Sequence, residues 1–149
     1  MRQEENKKRL PGEKRTTAKT ILVVEDDEDT QEFLTLLFTS VMVYHYQLAT
    51  NASQAVDSAK RIKPDLFIVD YQLTGMNGLE LYDLLHATPG LEGVPVLLLT
   101  ATKLEALRPE IEKRQISALE KPFDLDELLF IVQRLLGDPL NCKGAYEVS

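Results

Sequence analysis

The 149-residue chain is 44% hydrophobic and 28% charged, with a net charge of −7, which is the composition of one globular domain rather than of a disordered chain. A single cysteine, Cys142, excludes an internal disulfide framework, two histidines are too few for a usual structural zinc site, and no apolar window is long enough to cross a bilayer. Residues 1–19 carry seven basic and three acidic groups against ten basic and twenty-one acidic in the remainder, so the body repels a phosphate backbone and nucleic-acid binding is not expected of it.

Residues 1–18 have no aromatic side chain, no apolar periodicity and no signal-peptide core. They are expected to form a disordered basic leader to a domain spanning 19–138. Ile21–Val24 is a short continuous apolar run, as in a strand buried on both faces. It ends on five consecutive acids, Glu25-Asp26-Asp27-Glu28-Asp29. Phe33, Leu34, Leu37, Phe38 and Val41 then fall on one helical face. A weaker strand follows over Tyr44–Leu48, and Asn51 can cap a helix whose stripe is Ala52, Ala55, Val56, Ala59 and Ile62, with Pro64 beyond its end. Leu66–Val69 is the next apolar run and stops at Asp70; Leu79, Tyr82 and Leu85 make a third stripe. Val96–Leu99 stops at Thr100, and a fourth stripe, Leu104, Leu107 and Ile111, is predicted to be interrupted by Pro109. A weak strand, Ile116–Leu119, leads to Lys121-Pro122. Asp124 can cap the last helix, striped by Leu125, Leu128, Leu129, Val132, Leu135 and Leu136 and closed by Gly137 and Pro139, which leaves 139–149 as a C-terminal tail.

Five strand–helix units in this order predict a parallel sheet with helices on both faces, and they are too few for an eight-fold barrel. In an open doubly wound sheet the ligand site lies beyond the carboxyl ends of the strands. The acidic run, Asp70, Thr100 and Lys121 all fall at those ends. Taken singly, each has an ordinary reading: acids favouring a helix N-terminus, a turn-forming Asp, a strand-ending Thr, a solvated Lys. Their shared position argues for one site. Carboxylates gathered there repel one another, and magnesium, which takes oxygen ligands and keeps several waters, offsets that repulsion.

In ILVVEDDED, LFIVDYQLTGMNGLEL, VLLLTA and LEKPF, in this order, the chain resembles the receiver domain of two-component response regulators over about residues 19–138. The resemblance implies a flavodoxin-like (βα)5 fold with strand order 2-1-3-4-5. It implies Asp70 as phosphoacceptor, Thr100 and Lys121 as the groups that grip phosphoryl oxygens, and Mg2+ as cofactor. Asp26 and Asp27 match the acidic metal-binding pair, with Asp27 the direct ligand and Asp26 acting through water. Gln72 matches the position whose main-chain carbonyl binds the metal, and Gly78 the glycine that lets the loop turn into the third helix. Lys121-Pro122 matches a bond that is usually cis. The implied donor is a histidine kinase or histidine phosphotransfer protein, and the implied output is contact with a downstream protein through the fourth helix, fifth strand and fifth helix. With twelve residues after Gly137, no DNA-binding domain is expected, nor a membrane anchor, and the location expected is cytoplasmic.

The pattern departs at Ala118, where many family members carry an aromatic ring that turns inward on activation, and at Thr74, where proline is commoner and whose change is expected to loosen the loop. Gln72 and Thr102 occupy positions that tune how fast the phosphoryl group is lost. Tyr71 is expected to pack in the core, and His45 and His86 to have packing or surface roles. Three other readings stand beside a single-domain regulator. One is a phosphorelay intermediate. Another is a binding module of the same fold that signals without phosphorylation. The third is a magnesium-dependent aspartyl phosphatase, which usually has a second Asp where this chain has Gln72. The receiver reading makes the protein a phosphoacceptor rather than an enzyme acting on other substrates.

Overall fold

The computed structural model describes residues 18–40 and 44–137; the expected leader up to residue 17, Val41, Cys142 and the tail lie outside them. Five strands, β1 (Thr20–Val24), β2 (His45–Ala49), β3 (Leu66–Asp70), β4 (Val96–Thr100) and β5 (Ser117–Glu120), alternate with five helices, α1 (Glu28–Ser40), α2 (Ala52–Ile62), α3 (Gly78–His86), α4 (Leu104–Arg114) and α5 (Leu125–Leu136). All strand pairs are parallel, in the order β2-β1-β3-β4-β5. The chain steps outward from β1 to β2 and then returns past β1 to β3. The order therefore reverses between β1 and β3, where a crevice opens at the strands' carboxyl ends.

Period-2 alternation splits the apolar runs between two layers. Ile21, Val23, Leu66, Ile68, Leu97 and Leu99 pack with Leu34, Leu37 and Phe38 of α1 and Leu128, Leu129 and Val132 of α5. Leu22, Val24, Phe67, Val69, Val96 and Leu98 pack with Ala55 and Ala59 of α2, Leu81 and Leu85 of α3 and Leu107 of α4. Both faces of the central strands are covered, so every residue of β3 and β4 is buried. The edge strands β2 and β5 are only partly covered, which is why their runs are weak in the sequence. Among the described residues, no helix is long and apolar enough to cross a membrane.

Local signals hold with instructive exceptions. Asn51 caps α2 by accepting the Gln54 amide at 2.9 Å, and Gly137 closes α5 at φ 74°. Asp124 stands at the start of α5, but its side chain makes no cap bond. Phe33 was expected inside; it is 46% exposed and rests against Phe123, because Leu34, Leu37 and Phe38 centre the buried stripe of α1. Pro109 does not interrupt α4. A proline removes one interior amide bond, and both ends of the helix are held by neighbouring elements. Arg114 donates to both carboxylate oxygens of Asp83 on α3 at 2.9 Å and to Glu110 at 2.8 Å. The Leu104 amide donates to Glu120 on β5 at 3.0 Å.

α3 begins with a cap that no sequence expectation singled out. The Asn77 side chain accepts the Leu79 and Glu80 amides at 2.9 Å, while Glu80 accepts the Asn77 amide at 2.9 Å. Asn77→Ala is expected to lower stability by about 1 kcal/mol. An unchanged urea midpoint would show that the cap contributes nothing.

Candidate functional site

The site is built where β1, β3 and β5 end. Asp70, the last residue of β3, is 5% exposed. Lys121, just after β5, donates from Nζ to Asp70 Oδ1 at 2.7 Å. Its Nζ also lies 3.8 Å from Glu25 Oε1. The Lys121-Pro122 bond is cis. Asp26 is held in place by Thr74, whose main-chain amide and Oγ1 both donate to Asp26 Oδ2 at 2.9 Å. Thr74 therefore ties its loop to the acidic cluster, where a looser loop was expected: its free amide and hydroxyl supply two donors that proline lacks. One carboxylate oxygen each from Glu25, Asp26 and Asp70 lies within 4.8 Å of the others.

Glu25 is the residue that sequence reasoning missed. It is 1% exposed and follows Val23 in strand parity, as Asp70 follows Ile68, so both turn toward the layer that contains α1 and α5. That parity was the available signal. Burial raises the Glu25 carboxyl to about 7, the nearby Asp70 charge adds to the rise, and Lys121 opposes it. Burial likewise lifts the Asp70 carboxyl above the ordinary carboxylate value, against the hydrogen bond and charge of Lys121 and the Gln72 main-chain amide.

The acids gathered beside Asp70 are Glu25 and Asp26, and Asp27 is not among them. Asp27 is exposed and turns to α1: its Oδ2 accepts the Thr30 amide at 2.9 Å and the Thr30 hydroxyl at 2.8 Å, bonds that hold its carboxyl below the usual range. Thr100 is fully buried at the end of β4. Its hydroxyl bonds within its own loop, accepting the Thr102 amide at 2.8 Å. Gln72 has an exposed side chain and lies opposite Asn77 in an isolated bridge, and its main-chain amide bonds to Asp70. Tyr71 packs with the opposite layer, His45 is exposed on β2, and His86 stacks on Tyr82 at 5.1 Å.

Gly78 starts α3 directly beneath Asp70. It has no positive φ, so the expected turning role gives way to one of close approach. An added Cβ would stand 2.6 Å from the Asp70 carbonyl oxygen and 2.8 Å from Leu98 Cδ1.

Three carboxylates thus face one ammonium, and Glu25 Oε1 is buried with no hydrogen-bond partner. Excess negative charge and an orphaned oxygen suit a hard, oxygen-seeking dication.

The same segments carry the likeness to known proteins. DNA-binding response regulator MtrA of Mycolicibacterium smegmatis is 32% identical over 122 residues, 81% of this chain; the chain spans about half of that protein, 52%. Sporulation initiation phosphotransferase F of Bacillus subtilis is 29% identical over 117 residues, 78% of this chain and 92% of the relative. Among solved structures, the receiver domain of sensor histidine kinase PA1611 from Pseudomonas aeruginosa, with a magnesium ion coordinated in its active site cleft, superposes with a TM-score of 0.73 at 30% identity, covering 82% of this chain and all of that one. The model of the response regulator receiver domain matches residues 21–133. With the sheet order and the rim of acids around Asp70 in place, that match makes the chain a member of the response regulator receiver domain family.

Proposed function

We propose that Asp70 accepts a phosphoryl group from a histidine kinase or a histidine phosphotransfer protein in a magnesium-dependent reaction. The protein then signals through contacts with other proteins. The observation that carries this reading is the Asp70–Lys121 pair, at 2.7 Å with Asp70 buried and Lys121 part-exposed, beside two further carboxylates. In the transfer, a bond forms from phosphorus to an Asp70 carboxylate oxygen as the donor's phosphorus–nitrogen bond breaks. The electron pair leaves with the imidazole, which takes up a proton. Lys121 stays on the carboxylate side and binds a phosphoryl oxygen, and the Thr100 hydroxyl turns from Thr102 to another. Both groups stabilise charge where it builds up.

Asp26, Asp70 and the Gln72 carbonyl would hold the metal, with Glu25 in the place first expected of the second acid of the pair. When bound, magnesium lowers the repulsion between these carboxylates and the incoming phosphoryl group. Coverage of nearly all of a phosphotransferase favours a relay in which the group is passed on to a second histidine protein.

Incubation with magnesium and phosphoramidate, followed by intact-mass measurement, is expected to add about 80 Da, one phosphoryl group. Asp70→Asn is expected to abolish the gain. Absence of the gain with small donors and with kinases alike would leave a phosphorylation-independent binding module instead.

A further inference from the structure

α4 has no cap of its own. Its first residue follows Lys103, whose backbone is at φ −57° and ψ 133° and whose side chain makes no cap bond. The first amides of a helix have no partner inside it. One of them is met from another element: the Leu104 amide donates to Glu120 Oε1 at 3.0 Å across sixteen residues. The second carboxylate oxygen of Glu120 lies 3.6 Å from Lys103 Nζ, a lysine side chain 81% exposed. Such an exposed pair is worth little, so the charge-assisted amide bond and the favourable end of the helix dipole make this contact count.

Glu120 also touches the site through the backbone. It is in register with Thr100 across β4 and β5, and the amide of the next residue, Lys121, bonds to the Thr100 carbonyl at 2.7 Å. The Thr100 hydroxyl holds the Thr102 amide at 2.8 Å. Only Thr102 and Lys103 separate Ala101 from the clasped Leu104. The contacts therefore close a ring through Lys121, Glu120, Leu104, Thr102 and Thr100, and the Lys121 side chain joins Asp70 to it. A hydroxyl that turns to a phosphoryl oxygen on Asp70 releases the Thr102 amide, and the 101–103 segment loses one of its two anchors. Ala118 offers no ring to report that change.

We propose that Glu120 is a positioning residue that clasps the N-terminus of α4 to β5, and that opening of this clasp reports the loading of Asp70. The second half rests on the acceptor reading above. The test is residue-resolved amide hydrogen exchange on the full chain, for the parent, Glu120→Ala and Glu120→Gln, each before and after treatment with magnesium and phosphoramidate, with intact mass read in parallel.

Unloaded, Glu120→Ala is expected to speed exchange of the Leu104 amide by about tenfold, whereas Glu120→Gln, which keeps an acceptor oxygen, stays close to the parent. Loading should speed exchange at Leu104 in the parent and in Glu120→Gln and leave Glu120→Ala unchanged, with the same mass gain in all three. Equal unloaded exchange in all three chains overturns the clasp. So does a parent whose Leu104 exchange does not move although its mass rises. If no chain gains mass, the acceptor reading and the reporting role fail together, and the unloaded comparison alone decides whether Glu120 clasps α4.

Discussion

Gly78→Ala is expected to destabilise the protein by about 2–3 kcal/mol, although alanine is the better helix former. Helix propensity favours the substitution by up to about 1 kcal/mol, and the backbone of Gly78 is not in the left-handed region. Space decides the sign. The new Cβ would lie 2.6 Å from the Asp70 carbonyl oxygen and 3.0 Å from Tyr71 Cα, both backbone atoms, and 2.8 Å from the fully buried Leu98 side chain. The neighbours cannot yield cheaply. The Gly78 amide is bonded to the Tyr71 carbonyl at 2.7 Å, and the Asn77–Glu80 capping box fixes the start of α3. α3 and the end of β3 must separate, carrying Asp70 away from Lys121. Urea unfolding should show a lower midpoint with an unchanged slope, together with slower uptake of phosphoryl groups from phosphoramidate. Gly93→Ala, where a Cβ meets nothing within 4 Å, is the matched control. A Gly78 variant as stable as that control would refute the close-approach account.

In metal-free buffer, Glu25→Gln is expected to be more stable than the parent at pH 8. The sign follows from the folded carboxyl sitting at about 7 against 4.5 in the unfolded chain. A group whose pKa is raised on folding contributes stability fully below its unfolded value, and that contribution is lost as pH rises through the folded value. Above pH 7 the parent must hold a buried charge beside the Asp70 carboxylate, a cost on the order of 3 kcal/mol from the size of the shift. Glutamine has no such charge. Asp70 is shifted in the same sense. The parent should therefore lose thermal stability between about pH 4.5 and 7, and Glu25→Gln should lose less. The lowered carboxyls of Asp83 and Glu110, each bonded to Arg114, act in the opposite sense and only at lower pH. Magnesium should stabilise the parent more than the variant at pH 8, because the glutamine amide is the poorer ligand. Coincident melting curves at pH 8 without metal would contradict a strained Glu25 carboxylate.

Much of the fold is legible residue by residue. Ile21–Val24, Leu66–Val69 and Val96–Leu99 are continuous apolar runs because helices cover both faces of the strands they form. The same burial makes β2 and β5 hard to read, since an edge strand keeps exposed positions such as His45 and Gln47. The stripe of α5 is clear because its Leu128, Leu129, Val132 and Leu136 are all buried. Phe33 misleads: periodicity places it on the apolar stripe, but the depth of each position depends on how far the helix is rotated over the sheet.

The site divides in the same way. Asp70 and Thr100 are readable because each ends a recognisable strand, whereas Lys121 follows the weak β5 and is readable through the LEKPF resemblance. Strand phase is a local property that the chain carries in its own periodicity. In the five consecutive acids that phase is a weaker guide: parity with Val23 points to Glu25, but nothing local states where the strand stops and the helix cap begins. Packing settled it, turning Glu25 inward beside Lys121 and leaving Asp27 to hold Thr30 at the start of α1. Partners distant in sequence decided the rest, as with Thr74 on Asp26 over 48 residues and Glu120 on Leu104. The parallel direction of the strands follows from local periodicity and the handedness of crossovers, while their order was implied by the family resemblance. Which carboxylate is buried, and which amide it holds, depends on desolvation and pairing that exist only once the layers have closed.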